Sequence, residues 1–303
     1  MENLIWHWSP TGINLARQRE YLLPSFAQYR LYLCTFCCSG SDQPLMAVIT
    51  LTSDLGAADP YLATVKGRML RRCPEVVLVD VTHEVSSWNS QQAAYVLRQT
   101  FPHFAPDTIH WIGVYSQAQR RERYLVVFHR GQYFVGPDDG LFSLLFDDHP
   151  EFIFAIREGV GAERGDLGIY ADAVCAAAHL ASGADILEIA VQVQTIAERS
   201  SLRALDHPDL IRAAVIYIDN FGNVILNVDR ALMERVGQGR RFLLRLRKND
   251  QIDKLSQRYS DVPFGERLAF FNSAGYLEIA LNQGNAAKMH GLKLDDLVQI
   301  VFS

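Results

Sequence analysis

A run of short polar residues between a buried strand and a helix is the first place in this chain where chemistry can sit. Residues 46–67 read as an apolar strand over 47–51, then Thr52, Ser53, Asp54, Gly56 and Asp59, then a helix opening at Pro60. In an open parallel sheet, ligands bind outside the carboxyl ends of the strands, where such a segment delivers its donors and acceptors. A carboxylate at that edge accepts hydrogen bonds from two hydroxyls at once. Aspartate also caps helices, so Asp54 and Asp59 carry a purely local reading as well.

Other reactive groups are more scattered. Cys34-x-x-Cys37 has the spacing of a metal or redox pair, but no second pair or nearby histidine completes a zinc site, so no metal is expected. The five cysteines are odd in number and three of them fall within 34–38, which argues against a disulfide framework and for a reducing, cytoplasmic setting. Basic residues gather at Arg120, Arg121 and Arg123 and over 240–248, in strand-and-turn surroundings that read as solvated faces. His83, His129 and His179 read as structural.

The elements that must position these residues alternate strand and helix through the first half. Helices are expected over 60–71 and, capped by Asn89, over 89–100; strands over 75–81 and 108–114; a hairpin over 123–135; and an alanine-rich helix over 170–181. That alternation predicts a mostly parallel sheet covered by helices. After a polar stretch the pattern changes to short strands over 213–218, 224–228, 242–246, 268–272, 276–281 and 297–302, which predicts a small β barrel. The expected division is an α/β domain over 46–200, a linker over 201–212 and a β-barrel domain over 213–303, with the site at their junction. Residues 1–45 lack periodicity and the order of a secretory signal; they are expected to be a disordered, functionless extension upstream of a start at Met46.

Composition narrows the partners. A chain of 303 residues, 49% hydrophobic and 21% charged, has room for a substantial core and two domains. Its net charge of −5 gives no electrostatic footprint for nucleic acid. No apolar run reaches the ~18 residues that a membrane span needs.

Several short motifs then fall into one order: Thr52-Ser53-Asp54-Leu55-Gly56, Asp59-Pro60-Tyr61, Lys66-Gly67, Asp80-Val81-Thr82-His83, Trp88 and Pro137-Asp138-Asp139-Gly140. They continue with Ala177-Ala178-His179-Leu180-Ala181, Ile218-Asp219-Asn220-Phe221-Gly222-Asn223 and the run from Asn272 to Ala280. Together they resemble the S-adenosylmethionine hydroxide adenosyltransferases and the related adenosyl halogenases, fluorinase and chlorinase, over 46–303. The resemblance implies a homotrimer with S-adenosylmethionine bound between the α/β domain of one subunit and the barrel of the next. It implies substitution at the ribose 5′ carbon, with S-adenosylmethionine as substrate and no cofactor. By position, Asp54 would hold the ribose hydroxyls, and Trp88 would pack on the ribose and sulfonium. Asp59, Asp219 and Ser273 would take the methionine ammonium and carboxylate; Asn223 would read the adenine edge beside Phe221.

The departures bear on the reaction. The hydrolase branch carries an Asp-Arg-His set that orients or activates water. Here Tyr115 stands at the aspartate position, no histidine stands in 163–169, and Arg123 keeps the arginine without its partners. A tyrosine eight residues before an arginine is the halogenase pattern, with Gly168 or Ile169 near the halide pocket, although the halogenase serine and the long fluorinase insertion are absent. Three functions therefore compete: cleavage of S-adenosylmethionine by water, with Tyr115 and Arg123 as the catalytic candidates; a binding protein for an adenosyl ligand or adenosine; and a halide-using enzyme.

Overall fold

Strand β1 (Val48–Ser53) is a run of mostly β-branched residues, buried from its second residue to its end. Helix α1 (Pro60–Arg72) follows, opening on a proline whose missing N–H costs nothing at the first helical position, and burying Val65 and Met69. Next come β2 (Val77–Thr82) and α2 (Ser90–Thr100), capped as expected by the Asn89 side chain, which accepts from Gln92 N–H. The chain continues through β3 (Ile109–Gly113), β4 (Tyr124–His129), β5 (Gln132–Pro137), the short α3 (Leu141–Leu145), β6 (Phe152–Ile156), α4 (Ala171–Ala181) and β7 (Ala190–Val193).

These strands form one seven-stranded sheet in the order β2-β1-β3-β5-β4-β6-β7. Strands β2, β1, β3 and β5 pair in parallel, while β4 runs antiparallel between β5 and β6 and β7 runs antiparallel to β6. Five of the seven strands therefore point the same way, the mostly parallel sheet that the alternation predicts.

The second half comprises β8 (Leu205–His207), β9 (Leu210–Ile218), β10 (Val224–Asp229), α5 (Arg230–Gly237), β11 (Phe242–Arg245), β12 (Gln251–Ile252), β13 (Arg267–Phe271), β14 (Tyr276–Leu281), α6 (Ala286–His290) and β15 (Leu297–Phe302). All pairs here are antiparallel, in the order β12-β11-β15-β9-β10-β14-β13, with β8 added to β9. The two end strands nearly meet, Arg267 Nε donating to Gln251 O at 3.0 Å, so the sheet closes almost into a barrel around Ile211, Val215, Leu226, Leu244, Ile279 and Ile300. Part of the stretch read as a linker belongs to this sheet, since β8 and the start of β9 form a hairpin upstream of residue 213.

The computed structural model describes residues 46–114, 123–161, 170–199, 204–246 and 250–303, and 46–303 forms one unit. The extension expected over 1–45, with its cysteines, and the catalytic candidate Tyr115 lie outside the described residues. Within the unit, α2 bears on the barrel: the Tyr95 ring stacks on Tyr217 at 4.9 Å and lies against Tyr276 at 5.9 Å.

Candidate functional site

The first group of candidate residues gathers where the parallel strands end. Asp54 follows β1, its N–H donating to Gly113 O at the end of β3. A side chain could not replace Gly113, because a Cβ there would sit 2.1 Å from the Trp111 ring. The turn after Asp54 is stitched to the end of β2, with Gly56 N–H donating to His83 O at 2.9 Å and Val85 N–H to Ser53 O at 3.3 Å. Asp54 Oδ2 accepts the backbone N–H of Trp88 at 2.9 Å, and Trp88 holds a left-handed φ of 66°. The indole is 56% exposed, so Trp88 is not core. Asp59 occupies the N-cap position of α1 in extended backbone, yet its side chain makes no capping bond and stays exposed. The purely local reading of the two carboxylates as helix caps is thus not what holds this turn.

Beneath Asp54 runs a chain of polar side chains. Ser53 Oγ lies 2.8 Å from His83 Nδ1, and both residues are buried. His83 Nε2 is 3.0 Å from Asp80 Oδ1, a short contact off the ring-nitrogen axis. Asp80 Oδ2 accepts from Lys66 Nζ at 2.7 Å. Burial pushes the Asp80 carboxyl up, but the hydrogen bonds and charges of Lys66 and His83 outweigh it and leave the pKa below its ordinary value.

Arg123 stands farther along the same edge, where the start of β4 pairs with the carboxyl end of β5. Its Nε donates to Asp138 Oδ2 at 2.8 Å, Nη2 reaches the same oxygen, and Nη2 also donates to Thr195 O at 3.0 Å. The Asp138 carboxylate is buried, and its Oδ1 accepts from Ala197 N–H at 2.7 Å. The guanidinium is thereby committed to a clamp joining the β4–β5 hairpin to residues 195–197.

The barrel carries the second group. Asp219, Phe221 and Asn223 share the turn between β9 and β10. Asp219 Oδ1 accepts the N–H groups of Phe221 and Asn223, at 2.9 and 2.8 Å, and Oδ2 accepts Asn223 Nδ2 at 2.8 Å. Gly222 makes this turn possible with φ 85°; a Cβ there would collide with the Asn285 side chain, 2.1 Å away. The result is a buried Asn223 beside a Phe221 ring that is 75% exposed. Asn223 Nδ2 also reaches Tyr259 OH at 3.4 Å, and Tyr259 donates to Glu278 Oε1 at 2.7 Å. Asn272 Nδ2 donates to Glu278 Oε2 at 3.2 Å, while Asn272 Oδ1 holds the turn in which Ser273 lies exposed. Burial pushes the Glu278 carboxyl up, against the hydrogen bonds from Tyr259 and Asn272, and the nearby Asp219 charge adds to the rise. Tyr95 of α2 is hydrogen-bonded to Asn272, and burial raises its hydroxyl pKa to about 12. The helix that begins just after Trp88 thus comes, at Tyr95 in its middle, within one link of the Ser273 turn.

The structure therefore brings Asp54 to Trp88, and Asp219 to Phe221 and Asn223, and leaves Asp59 and Ser273 exposed at their turns. Sequence reasoning did not foresee Glu278, Tyr259, Asp138 or the Ser53–His83–Asp80–Lys66 chain as supports, although the motifs over 66–67, 80–83 and 272–280 contain most of them. Among the described residues, no group of three or more His, Cys, Asp or Glu is placed to hold a metal ion, and no helix is long and apolar enough to cross a membrane.

Comparison with known proteins matches two family models in order: the SAM hydroxide adenosyltransferase N-terminal domain over 49–190 and the C-terminal domain over 213–299. An (R)-S-adenosyl-L-methionine hydrolase of Thermus thermophilus is 31% identical over 264 residues, covering 82% of this chain and 97% of the relative. The hydrolase of that name from Methanocaldococcus jannaschii is 26% identical, over 85% of this chain and 97% of the relative. A fluorinase of Nocardia brasiliensis is 27% identical, over 84% of this chain and 96% of the relative. Among solved structures, an uncharacterized conserved protein of Thermotoga maritima superposes with a TM-score of 0.73 at 24% identity, covering 84% of this chain and 99% of that one, and shares the fold.

Proposed function

Because the chain belongs to the S-adenosylmethionine hydroxide adenosyltransferase family, we propose that it cleaves S-adenosylmethionine, water attacking the ribose 5′ carbon to give adenosine and L-methionine. The leaving group departs from a sulfonium as a neutral thioether, so the reaction asks little of acid catalysis. It asks for in-line placement of the nucleophile and exclusion of bulk water. The observation that carries this reading is the Asp54 carboxylate locked to the Trp88 backbone, with an exposed indole, at the carboxyl edge of the parallel strands. Asp54 takes the ribose diol, and the electron-rich indole face suits a sulfonium. Asn223, steadied by Asp219 and Tyr259, meets the adenine with Phe221 against its face. Asp59, Asp219 and Ser273 meet the amino-acid end. Tyr115 and Arg123 stand where the hydrolase branch has members of its water-orienting set, and Arg123 also holds the clamp to Asp138.

The site is complete only in a homotrimer, one subunit's strand edge facing the next subunit's barrel turn. The exposed Trp88, Tyr61 and Phe221 suit such a shared surface. Light scattering should give three copies; a monomer that binds S-adenosylmethionine at full strength refutes the shared site. The reaction is tested by chromatography after incubation with S-adenosylmethionine, with and without chloride. Adenosine plus methionine is expected. 5′-Chloro-5′-deoxyadenosine would make it a halogenase, and retained, unchanged ligand would make it a binding protein.

A further inference from the structure

We infer that His83 is a positioning residue for Asp54, holding the ribose-binding turn through Ser53 while Lys66 and Asp80 hold His83 from behind. The inference rests on Asp54 being a ribose ligand. A serine, a histidine and an aspartate in series also suggest a nucleophile, but Ser53 is fully buried and its Oγ accepts Leu55 N–H at 3.4 Å, so no substrate atom reaches it. The directions of the bonds follow from their ends. The Asp80 carboxylate, 3.0 Å from Nε2 though off its hydrogen-bond axis, favours the ring proton on that nitrogen by its charge; Nδ1 is then an acceptor, and Ser53 donates its hydroxyl proton to it at 2.8 Å. With its proton so placed, Ser53 Oγ is free to accept from Leu55 N–H, inside the turn that carries Asp54. His83 grips the same turn a second time through its backbone carbonyl, which accepts from Gly56 N–H at 2.9 Å. Side-chain and main-chain bonds from one residue thus bracket Asp54 on both sides. Parallel pairing of β1 with β2 makes this possible by setting the two strand ends next to each other. The chain also unites three sequence motifs that substrate contact leaves unused: Lys66-Gly67, Asp80 to His83, and the serine before Asp54.

The test exploits the shape of imidazole. An Asn side chain places its amide near the Nδ1 position and can accept from Ser53; a Gln side chain reaches toward the Nε2 position and serves only Asp80. Adenosine binding is measured by calorimetry, and melting temperature alongside, for the wild type, His83→Asn, His83→Gln, Lys66→Met and Asp54→Ala. The expected result is near wild-type affinity for His83→Asn and a loss of about tenfold for His83→Gln, part of a charge-assisted contact. Lys66→Met, at a partly exposed position that leaves the fold intact, should weaken binding a few-fold, in the order of about threefold. If His83→Asn and His83→Gln lower the melting temperature alike and leave affinity alike, His83 is only structural and the inference falls. If both His83 variants fail to fold, unchanged affinity in Lys66→Met overturns it. Asp54→Ala separates the two levels: unchanged affinity there overturns the ribose reading itself, whereas lost affinity there with intact binding in His83→Gln and Lys66→Met overturns the positioning role alone.

Discussion

Acid should unfold this protein from the strand pair that carries Asp54, and His110 sets the scale. Thr50 on β1 and His110 on β3 are register partners, and Thr50 Oγ1 lies 2.7 Å from His110 Nδ1. His110 Nε2 lies 2.8 Å from Gln132 Oε1, while Gln132 Nε2 donates to the carbonyls of Phe101 and Phe104. The glutamine can therefore only accept from the ring, so Nε2 carries the proton and Nδ1 accepts from Thr50. The neutral ring is satisfied, and a second proton would charge a group walled in by Phe101, Phe104 and Phe134. Burial accordingly lowers the His110 pKa from 6.5 to about 4, against a smaller raising effect of the Gln132 bond. Because the folded pKa is the lower one, the unfolded chain binds the extra proton first. The stability His110 contributes is complete above pH 6.5 and is lost as pH falls toward 4. A drop of about 2.5 in pKa corresponds to about 3 kcal/mol. Glu278 has the opposite sign, since its raised folded pKa favours the folded state in mild acid, whereas His129, its pKa lowered chiefly by burial, and Asp80 add to the fall. Urea unfolding at a series of pH values should show wild-type stability falling between pH 6.5 and 4, and His110→Gln should flatten that fall. Parallel curves for the two proteins would refute the assignment.

Three further perturbations follow from the site. Asp54→Ala should cost about 1.5–3 kcal/mol of adenosine affinity for each diol bond lost, with an unchanged melting temperature within a few degrees; calorimetry decides. Tyr115→Asp restores a carboxylate at the hydrolase position and should raise the single-turnover hydrolysis rate, since a missing water-orienting group costs ~10²–10⁴-fold; a slower variant of a fast wild type would show that tyrosine is this chain's own solution. Arg123→Met leaves the buried Asp138 carboxylate with the Ala197 N–H as its remaining donor, and should lower stability by about 1–3 kcal/mol, the guanidinium being partly exposed. If the variant also loses the chemical step while ligand affinity holds, Arg123 acts on substrate and not only through the clamp.

Much of this was legible because local signals and burial agree. The strands over 276–281 and 297–302 and the helix beginning at Pro60 carry clear patterns and end where their turn residues say. Strand β8 has no buried residue at all, so nothing in its sequence separates it from a linker; only pairing with β9 makes it a strand. Strand β7 likewise exposes Val191 and Gln192 at the sheet edge. Helix α5 had its signals on the page, with Asp229 capping Leu232 N–H and Met233 and Val236 buried three apart, but they follow β10 without a break. In the site, Asp54 could be read from a strand end, whereas Trp88 entered only through the motifs that resemble the family. The Ser53–His83 contact spans 30 residues and exists only because β1 and β2 are neighbours. The same holds for Arg123 and Asp138, brought together where β4 and β5 pair their ends.

The local and the ligand readings of the carboxylates turn out not to exclude each other. Asp54 fixes the left-handed Trp88 by accepting its N–H, and Asp219 fixes the Gly222 turn by accepting two N–H groups and an amide. Hydrogen bonds from neutral amides leave the negative charge in place and hold it still. A carboxylate ordered in this way loses little further side-chain freedom when a ligand hydroxyl or ammonium arrives, which is where rigid sites gain affinity. An aspartate held in a turn by such bonds is therefore compatible with the proposed role as a binding group, since its local bonds do not neutralise it. Asp59 is the contrast, since its side chain makes no capping bond and stands exposed.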